Sequence, residues 1–211
     1  VIYNGVDSDK FKPMEINLSN IKHRYGLCVE DKIILFVGRL DPLKGVDELI
    51  FACKKLVSRY PNIKVLIVGD GESSYKEYLQ GIAKPRSNFI FTGRVGYDKL
   101  VEIYNISDIV VAPSPYASGN EVLEAMACGK PVIVVKGSGF AELINNLKTG
   151  FIISYKNIRK ELENLLDSII FDENLLKNIG KNARKFVKTN LTWGNVAVKT
   201  INFISSLYEK Y

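Results

Sequence analysis

The chain has 211 residues, 46% of them hydrophobic, and 29 Lys and Arg against 23 Asp and Glu give a net charge of +6. That suffices for one domain with a good core, while no apolar run approaches the ~20 residues of a membrane-spanning helix and residues 1–10 form neither a signal nor a transit peptide. A positive balance admits nucleic acid, an acidic membrane or small anions as partners, but cations and acids are interleaved without a basic, aromatic-studded run, which argues against nucleic acid and for a solvated surface. Cys28, Cys53 and Cys128 are odd in number and lack CxxC spacing. They read as small core residues of a cytoplasmic protein.

In chain order, VIYNGVD opens as if in mid-strand and without an initiator Met, the beginning expected of a piece of something longer, and Asn4-Gly5 signals a turn. Ser19 is expected to N-cap a short helix that ends near Gly26. KIILFV at 32–37 predicts a buried strand closed by Gly38. Val46, Leu49, Ile50, Cys53, Leu56 and Val57 recur at helical spacing over 46–60, and Pro61 ends that helix. A buried strand follows at 63–68, then Gly69-Asp70-Gly71, a helix over 72–83, a strand at 89–92, a helix over 98–104 and a strand at 109–112. Next come a helix over 121–127, an apolar strand at 131–135, a helix over 140–147 and a last strand at 151–154. Helices over 158–171, 173–189 and 193–211 close the chain, with Trp193 as a core anchor for the last. Buried strands alternating with amphipathic helices predict an α/β fold: a doubly wound, Rossmann-like parallel sheet in a single domain with C-terminal helices. Ligands in such sheets collect at the carboxyl ends of the strands, so the loops that matter are 38–45, 69–72, 93–97, 113–120 and 136–140.

Two of those loops carry chemistry. Ala117-Ser118-Gly119-Asn120 leads into Glu121-Val122-Leu123-Glu124, where a helix N-terminus offers unpaired N–H groups and the positive end of the peptide dipoles. That suits a phosphate or diphosphate. Glu124 either complements the dipole or accepts ligand hydroxyls, and the residues alone leave both open. Gly38-Arg39-Leu40-Asp41-Pro42-Leu43-Lys44-Gly45 brings a planar guanidinium and a mobile ammonium to the same edge. Alone it reads as a solvated loop; beside the helix N-terminus it becomes a pair that can neutralise a diphosphate without a metal.

Phe36-Val37-Gly38-Arg39 with Lys44-Gly45, Val68-Gly69-Asp70-Gly71, Phe91-Thr92-Gly93-Arg94-Val95, Ala112-Pro113-Ser114 and Glu124-Ala125-Met126-Ala127-Cys128-Gly129-Lys130-Pro131-Val132-Ile133 resemble the group 1 retaining glycosyltransferases of GT-B fold. The resemblance runs from Asn4 to the closing helix and covers the second, donor-binding half of such an enzyme. It implies that residues 1–211 are the nucleotide-sugar domain, and that an N-terminal acceptor domain would precede Val1. It further implies a nucleoside diphosphate sugar as donor, hexosyl transfer with retention, no cofactor and no metal. An acceptor glycan, lipid or small molecule would be held by the missing domain, and peripheral membrane association of the full-length enzyme is left open.

By the same resemblance Arg39 and Lys44 hold the donor diphosphate and stabilise the departing nucleoside diphosphate, and Glu124 accepts ribose hydroxyls. The backbone of Ser118, Gly119, Asn120, Glu121, Val122 and Leu123 faces phosphates and sugar. Arg94 and Val95 border the nucleobase with Leu100 as an apolar wall, while Gly38 and Gly69 let the backbone come close. The family usually carries a second Glu eight positions before Glu124, a contact to donor-sugar hydroxyls; here that position is Tyr116. The departure leaves phosphate binding untouched and puts sugar selection in question, and it is the one feature in favour of an inactive binding or regulatory module. A sugar-nucleotide epimerase of the same fold is a further alternative.

Weaker signals point elsewhere. Gly69-x-Gly71-x-x-Ser74 lacks the third glycine of a dinucleotide fingerprint. Asp7-Ser8-Asp9 mimics a metal-binding DxD but lies in a turn near the start, and His23 has no ligand partner at metal or triad spacing. Gly137-Ser138-Gly139 reads as a turn at the sheet edge.

Overall fold

The computed structural model describes residues 1–84, 87–116 and 120–208. Six strands, β1 (Lys32–Val37), β2 (Ile63–Val68), β3 (Phe89–Gly93), β4 (Ile109–Ala112), β5 (Val132–Val135) and β6 (Phe151–Ile153), form one parallel sheet in the order β3-β2-β1-β4-β5-β6. The chain winds outward from β1 to β3, then returns to the centre and winds outward again from β4 to β6. The winding direction reverses between β1 and β4, so that is where the crevice of a doubly wound sheet opens.

Strand residues alternate strictly between two cores, as a pleat with period two requires. Ile34, Phe36, Val65, Ile67, Val111 and Ile133 face one core, which is completed by α2 (Val46–Arg59), α3 (Ser73–Ala83) and α6 (Ile158–Ile169). Ile33, Leu35, Leu66, Val110 and Val132 face the other, completed by α1 (Ser19–Arg24), α4 (Tyr97–Ile106) and α5 (Glu121–Ala127). α7 (Glu173–Asn190) supplies Leu176 and Ile179 to the first core and Ala183 and Val187 to the second, and it packs along α5. Val6 pairs with Thr192 in a parallel bridge, and its N–H donates to the Leu191 carbonyl at 2.9 Å.

Several local expectations are corrected. No strand forms over residues 1–7, where Val6 alone enters an isolated bridge. Ser19 is the first helical residue and Leu18 the N-cap, because the Asn17 Oδ1 atom already takes the Ser19 N–H at 2.9 Å. Residues 140–147 form only a 3-10 turn, Ala141–Leu143. There, Thr149 Oγ1 takes the Asn145 N–H at 2.9 Å and Asn146 Oδ1 takes that of Ile152 at 3.0 Å, side-chain bonds that compete with a helical ladder. Cys53 and Cys128 are buried, but Cys28 is exposed in the turn before β1. Trp193 is 53% exposed and opens α8 (Trp193–Tyr208), a helix with no buried residue. The indole lies over Gly5, where a Cβ would come within 2.8 Å of it.

Two glycines fix the carboxyl edge. Gly69 has φ +142°, and a Cβ there would lie 1.8 Å from the Gly38 carbonyl oxygen; Gly45 has φ +69°, and a Cβ there would lie 2.2 Å from that of Pro113. Gly69→Ala therefore has to move backbone, and we expect it to lower the unfolding free energy by at least about 1–3 kcal/mol. Gly81, on α3 with nothing within 4 Å of its would-be Cβ, is the control. Gly81→Ala is expected to gain about 0.5–1 kcal/mol. Urea titrations read both, and equal effects at the two positions would contradict the assignment.

Candidate functional site

The strands do not stop where their regular ladders end. Gly38 N–H donates to the Val68 carbonyl, Gly69 N–H to that of Gly93 and Leu40 N–H to that of Asp70, at 3.0, 3.0 and 2.9 Å. The three loops leaving β1, β2 and β3 are thereby zipped into one ledge. Val37, Gly38, Arg39, Val68, Gly69, Asp70, Arg94, Val95 and Leu100 wall a cleft of ≈ 400 Å³ on it. Asp70 is held below the usual carboxylate range by the Lys76 ammonium, 2.7 Å away.

The 38–45 loop tightens into a 3-10 turn, Pro42–Lys44, because Asp41 caps it: the Asp41 Oδ1 atom accepts the Leu43 N–H at 2.9 Å. Ser114, 2% exposed, ties this turn to the loop after β4 by donating to the Leu43 carbonyl while accepting the Tyr116 N–H at 2.9 Å. Lys44 consequently points across the reversal of winding and donates to the Tyr116 carbonyl at 3.3 Å. Among the described residues neither Arg39 nor Lys44 enters an ion pair.

On the far side stands α5. Asn120 occupies the N-cap without a side-chain cap hydrogen bond, and the Glu124 N–H donates the first intrahelical bond to the Asn120 carbonyl at 2.8 Å. The N–H groups of Glu121, Val122 and Leu123 precede that ladder. Val122 and Leu123 themselves are core side chains, so only their backbone can meet a ligand. Glu124 is 6% exposed and receives a hydrogen bond from Tyr104 Oη at 2.8 Å. Burial pushes its pKa up, the Tyr104 hydrogen bond opposes the shift, and the nearby Glu121 adds to it. The same burial and the Glu124 charge hold the Tyr104 phenol protonated.

Arg39, Gly38, Gly69, Arg94, Val95 and Leu100 thus share one cleft. Lys44, Tyr116, Asn120 and Glu124 lie around the reversal of winding beside it. Ser118 and Gly119 fall outside the described residues. The Tyr116 ring is exposed, and the residue enters the site through its backbone. The sequence reading missed Tyr104 and Asn4. Tyr104 was legible as the one hydroxyl on the buried face of α4, able to serve a buried acid. Asn4 Nδ2 reaches Asn120 Oδ1 at 3.3 Å from a segment read only as a turn. Asp7 Oδ1 accepts the N–H groups of Asp9 and Lys10 at 3.1 and 2.9 Å, forming a turn. Among the described residues no group of three or more His, Cys, Asp or Glu is placed to hold a metal ion.

The sheet order and its crevice define a Rossmann-like α/β domain, the architecture of GT-B glycosyltransferases. Residues 19–186 match the family described as Glycosyl transferases group 1, and the chain belongs to that family. An uncharacterised glycosyltransferase of Methanocaldococcus jannaschii is 36% identical over 96% of this chain and 52% of its own. The GDP-mannose-dependent alpha-(1-6)-phosphatidylinositol monomannoside mannosyltransferase of Mycobacterium tuberculosis is 28% identical over 95% and 54%. Anabaena HepE, solved in complex with UDP and glucose, superimposes with a TM-score of 0.86 at 26% identity, over 98% of this chain and 56% of its own. The chain therefore spans about half the length of these relatives.

Glu124 provides a test of the site's electrostatics. Its folded-state pKa is raised, so the native state holds that proton more tightly than the unfolded chain. The associated stability is complete below the ordinary carboxylate pKa and is lost as pH rises through the raised one. Glu124→Gln removes the buried charge and keeps an acceptor for Tyr104. Its Tm relative to the parent is expected to increase from pH 4 to pH 8, and a difference that stays flat with pH would exclude an ionised, burial-penalised Glu124.

Proposed function

We propose that this chain is the donor-binding half of a two-domain retaining glycosyltransferase that moves a hexosyl group from a nucleoside diphosphate sugar to an acceptor held by an N-terminal domain. The observation that carries the reading is the juxtaposition of a cleft with apolar walls at Val68, Val95 and Leu100, two cations that enter no ion pair among the described residues, and a buried carboxylate at the reversal of strand winding. HepE, which binds UDP and glucose in a homologous frame, supports it.

In this reading the base enters the cleft between Gly69, Arg94, Val95 and Leu100. Glu124, oriented by Tyr104, accepts the ribose hydroxyls, and hydrogen bonds from the ligand offset the desolvation of its charge. Arg39 and Lys44 meet the diphosphate together with the α5 N–H groups. As the glycosidic C–O bond breaks, negative charge grows on the β-phosphate, and cations fixed by the Asp41 cap and the Ser114 bridge stabilise it without reorganising. No divalent metal is needed for that neutralisation. The leaving phosphate, on the same face as the incoming acceptor, takes the acceptor's proton, and this geometry retains configuration. Transfer requires the acceptor domain, so the 211-residue chain binds donor and turns nothing over. The exposed Tyr116 leaves sugar contacts to Asn120 and Glu121 at the start of α5.

Calorimetric titration with UDP, GDP and ADP, each with EDTA and with Mg²⁺, tests this reading. One nucleotide is expected to bind equally well in both. Lys44→Ala and Arg39→Ala should each weaken it by about 1.5–3 kcal/mol while barely touching the phosphate-free nucleoside. Glu124→Gln should penalise ribonucleotides more than their 2′-deoxy analogues. Strict Mg²⁺ dependence, or sugar transfer by the chain alone, would refute the proposal.

A further inference from the structure

Beyond the isolated bridge between Leu40 and Gly71, on the side away from the donor cleft, lies a second groove of ≈ 510 Å³. Residues 39–42 form one bank, and Glu72, Ser74, Tyr75 and Tyr78, from the N-cap and first two turns of α3, form the other. Of the described residues lining the two spaces, Arg39 alone is shared. Positions three apart stand on one face of a helix, and here the rings of Tyr75 and Tyr78 stack, with centroids 5.8 Å apart and an interplanar angle of 26°. Tyr75 is anchored: its ring packs against the first core, and its Oη donates to Asp47 Oδ1 of α2 at 3.3 Å. Burial first, and then the Asp47 charge, keep that phenol protonated. Tyr78 leans on it and is 45% exposed.

The polar groups of the groove are suited to hydroxyls. Asp41 uses one oxygen to cap the 3-10 turn through the Leu43 N–H, and Glu72 uses one to accept the Ser74 hydroxyl, each at 2.9 Å. A carboxylate accepts more than one hydrogen bond, so both acids retain capacity. Arg39 adds a fork of donors and enters no ion pair among the described residues. One cation against two carboxylates makes the lining net negative, which disfavours a phosphate chain or an acidic polymer.

We propose that this groove binds a neutral oligosaccharide. A pyranose ring presents a face of C–H groups and a rim of hydroxyls. The electron-rich face of a phenol ring attracts the first, and carboxylates and a guanidinium take the second in charge-assisted hydrogen bonds. The tyrosine pair, held by the core and by Asp47, is ordered before a sugar arrives, so little entropy is lost on binding. The site stands without the donor reading, since of its residues only Arg39 borders the donor cleft. On the donor reading, the bound chain runs alongside the nucleotide cleft and belongs to the remote units of a polymeric acceptor.

Calorimetric titration of the 211-residue chain with maltohexaose, cellohexaose and mannohexaose tests the proposal, with hexagalacturonate as the anionic counterpart. At least one neutral hexasaccharide is expected to bind, and hexagalacturonate to bind at least about tenfold more weakly. Tyr78→Ala should weaken the neutral sugar about tenfold, while Tyr78→Phe, which keeps the ring, should change it less than about twofold. Glu72→Gln should weaken it about fivefold. Thermal melts of the three variants verify the fold. Each variant should leave the titration with UDP, GDP or ADP unchanged, and saturating nucleotide should leave the oligosaccharide bound, so this site and the donor cleft succeed or fail separately. Failure of all three neutral oligosaccharides to bind, undiminished binding by Tyr78→Ala, displacement of the sugar by nucleotide, or tighter binding of hexagalacturonate would each overturn the proposal.

Discussion

The approach of two backbones without an intervening Cβ is the constraint on which the site rests. At Gly69 and Gly45 a neighbouring carbonyl occupies the space a side chain would take. The first contact locks the exit of β1 to that of β2, and the second locks the 3-10 turn to the exit of β4. Loops at the ends of parallel strands normally have no ladder to hold them. Here they inherit the stiffness of the sheet, so Arg39 and Lys44 are presented by frame and not by chance. A frame prepared in advance lowers the entropy that a charged ligand must otherwise remove.

Burial and charge make opposite demands on Glu124. A carboxylate buried at a helix start, with a single phenol hydrogen bond to offset its desolvation and a second acid nearby, weakens the domain in which it sits. The surrounding core is well able to tolerate that. Ile33, Leu35, Leu123 and Met126 are fully buried beside the second layer of helices, and the strand alternation supplies a complete core on the other side. The sheet thus carries the fold, and the edge is left free to hold groups in states that water would not favour.

Much of this was legible in the chain. Six apolar runs named six strands almost to the residue, because a strand buried on both faces needs no pattern subtler than continuous Val, Ile, Leu and Phe. Breaks at Gly38, Gly69 and Gly93 located the ledge. What escaped depends on distant partners. A run over 140–147 has helical residues, yet Asn145, Asn146 and Thr149 divert its backbone. Trp193 is large and apolar, and it lies on Gly5 with half its surface in solvent, since nothing in α8 turns inward. The need for glycine at 69 was attributed to an incoming ligand, whereas the space is filled by Gly38. The Tyr104 hydroxyl can be placed on the buried face of α4 from the sequence, but its partner Glu124 is fixed only once α4 and α5 share a core.

The bridge between Val6 and Thr192 sets the order in which this architecture can be completed. Its two residues lie at opposite ends of the sequence, and the Val6 N–H finds its acceptor only at Leu191. During synthesis, β1 to β6 can assemble while the opening segment still lacks its partner, and the last joint closes after α7 has emerged. A loop that spans nearly the whole chain is costly to close first and inexpensive to close last, when the intervening structure already holds its ends together.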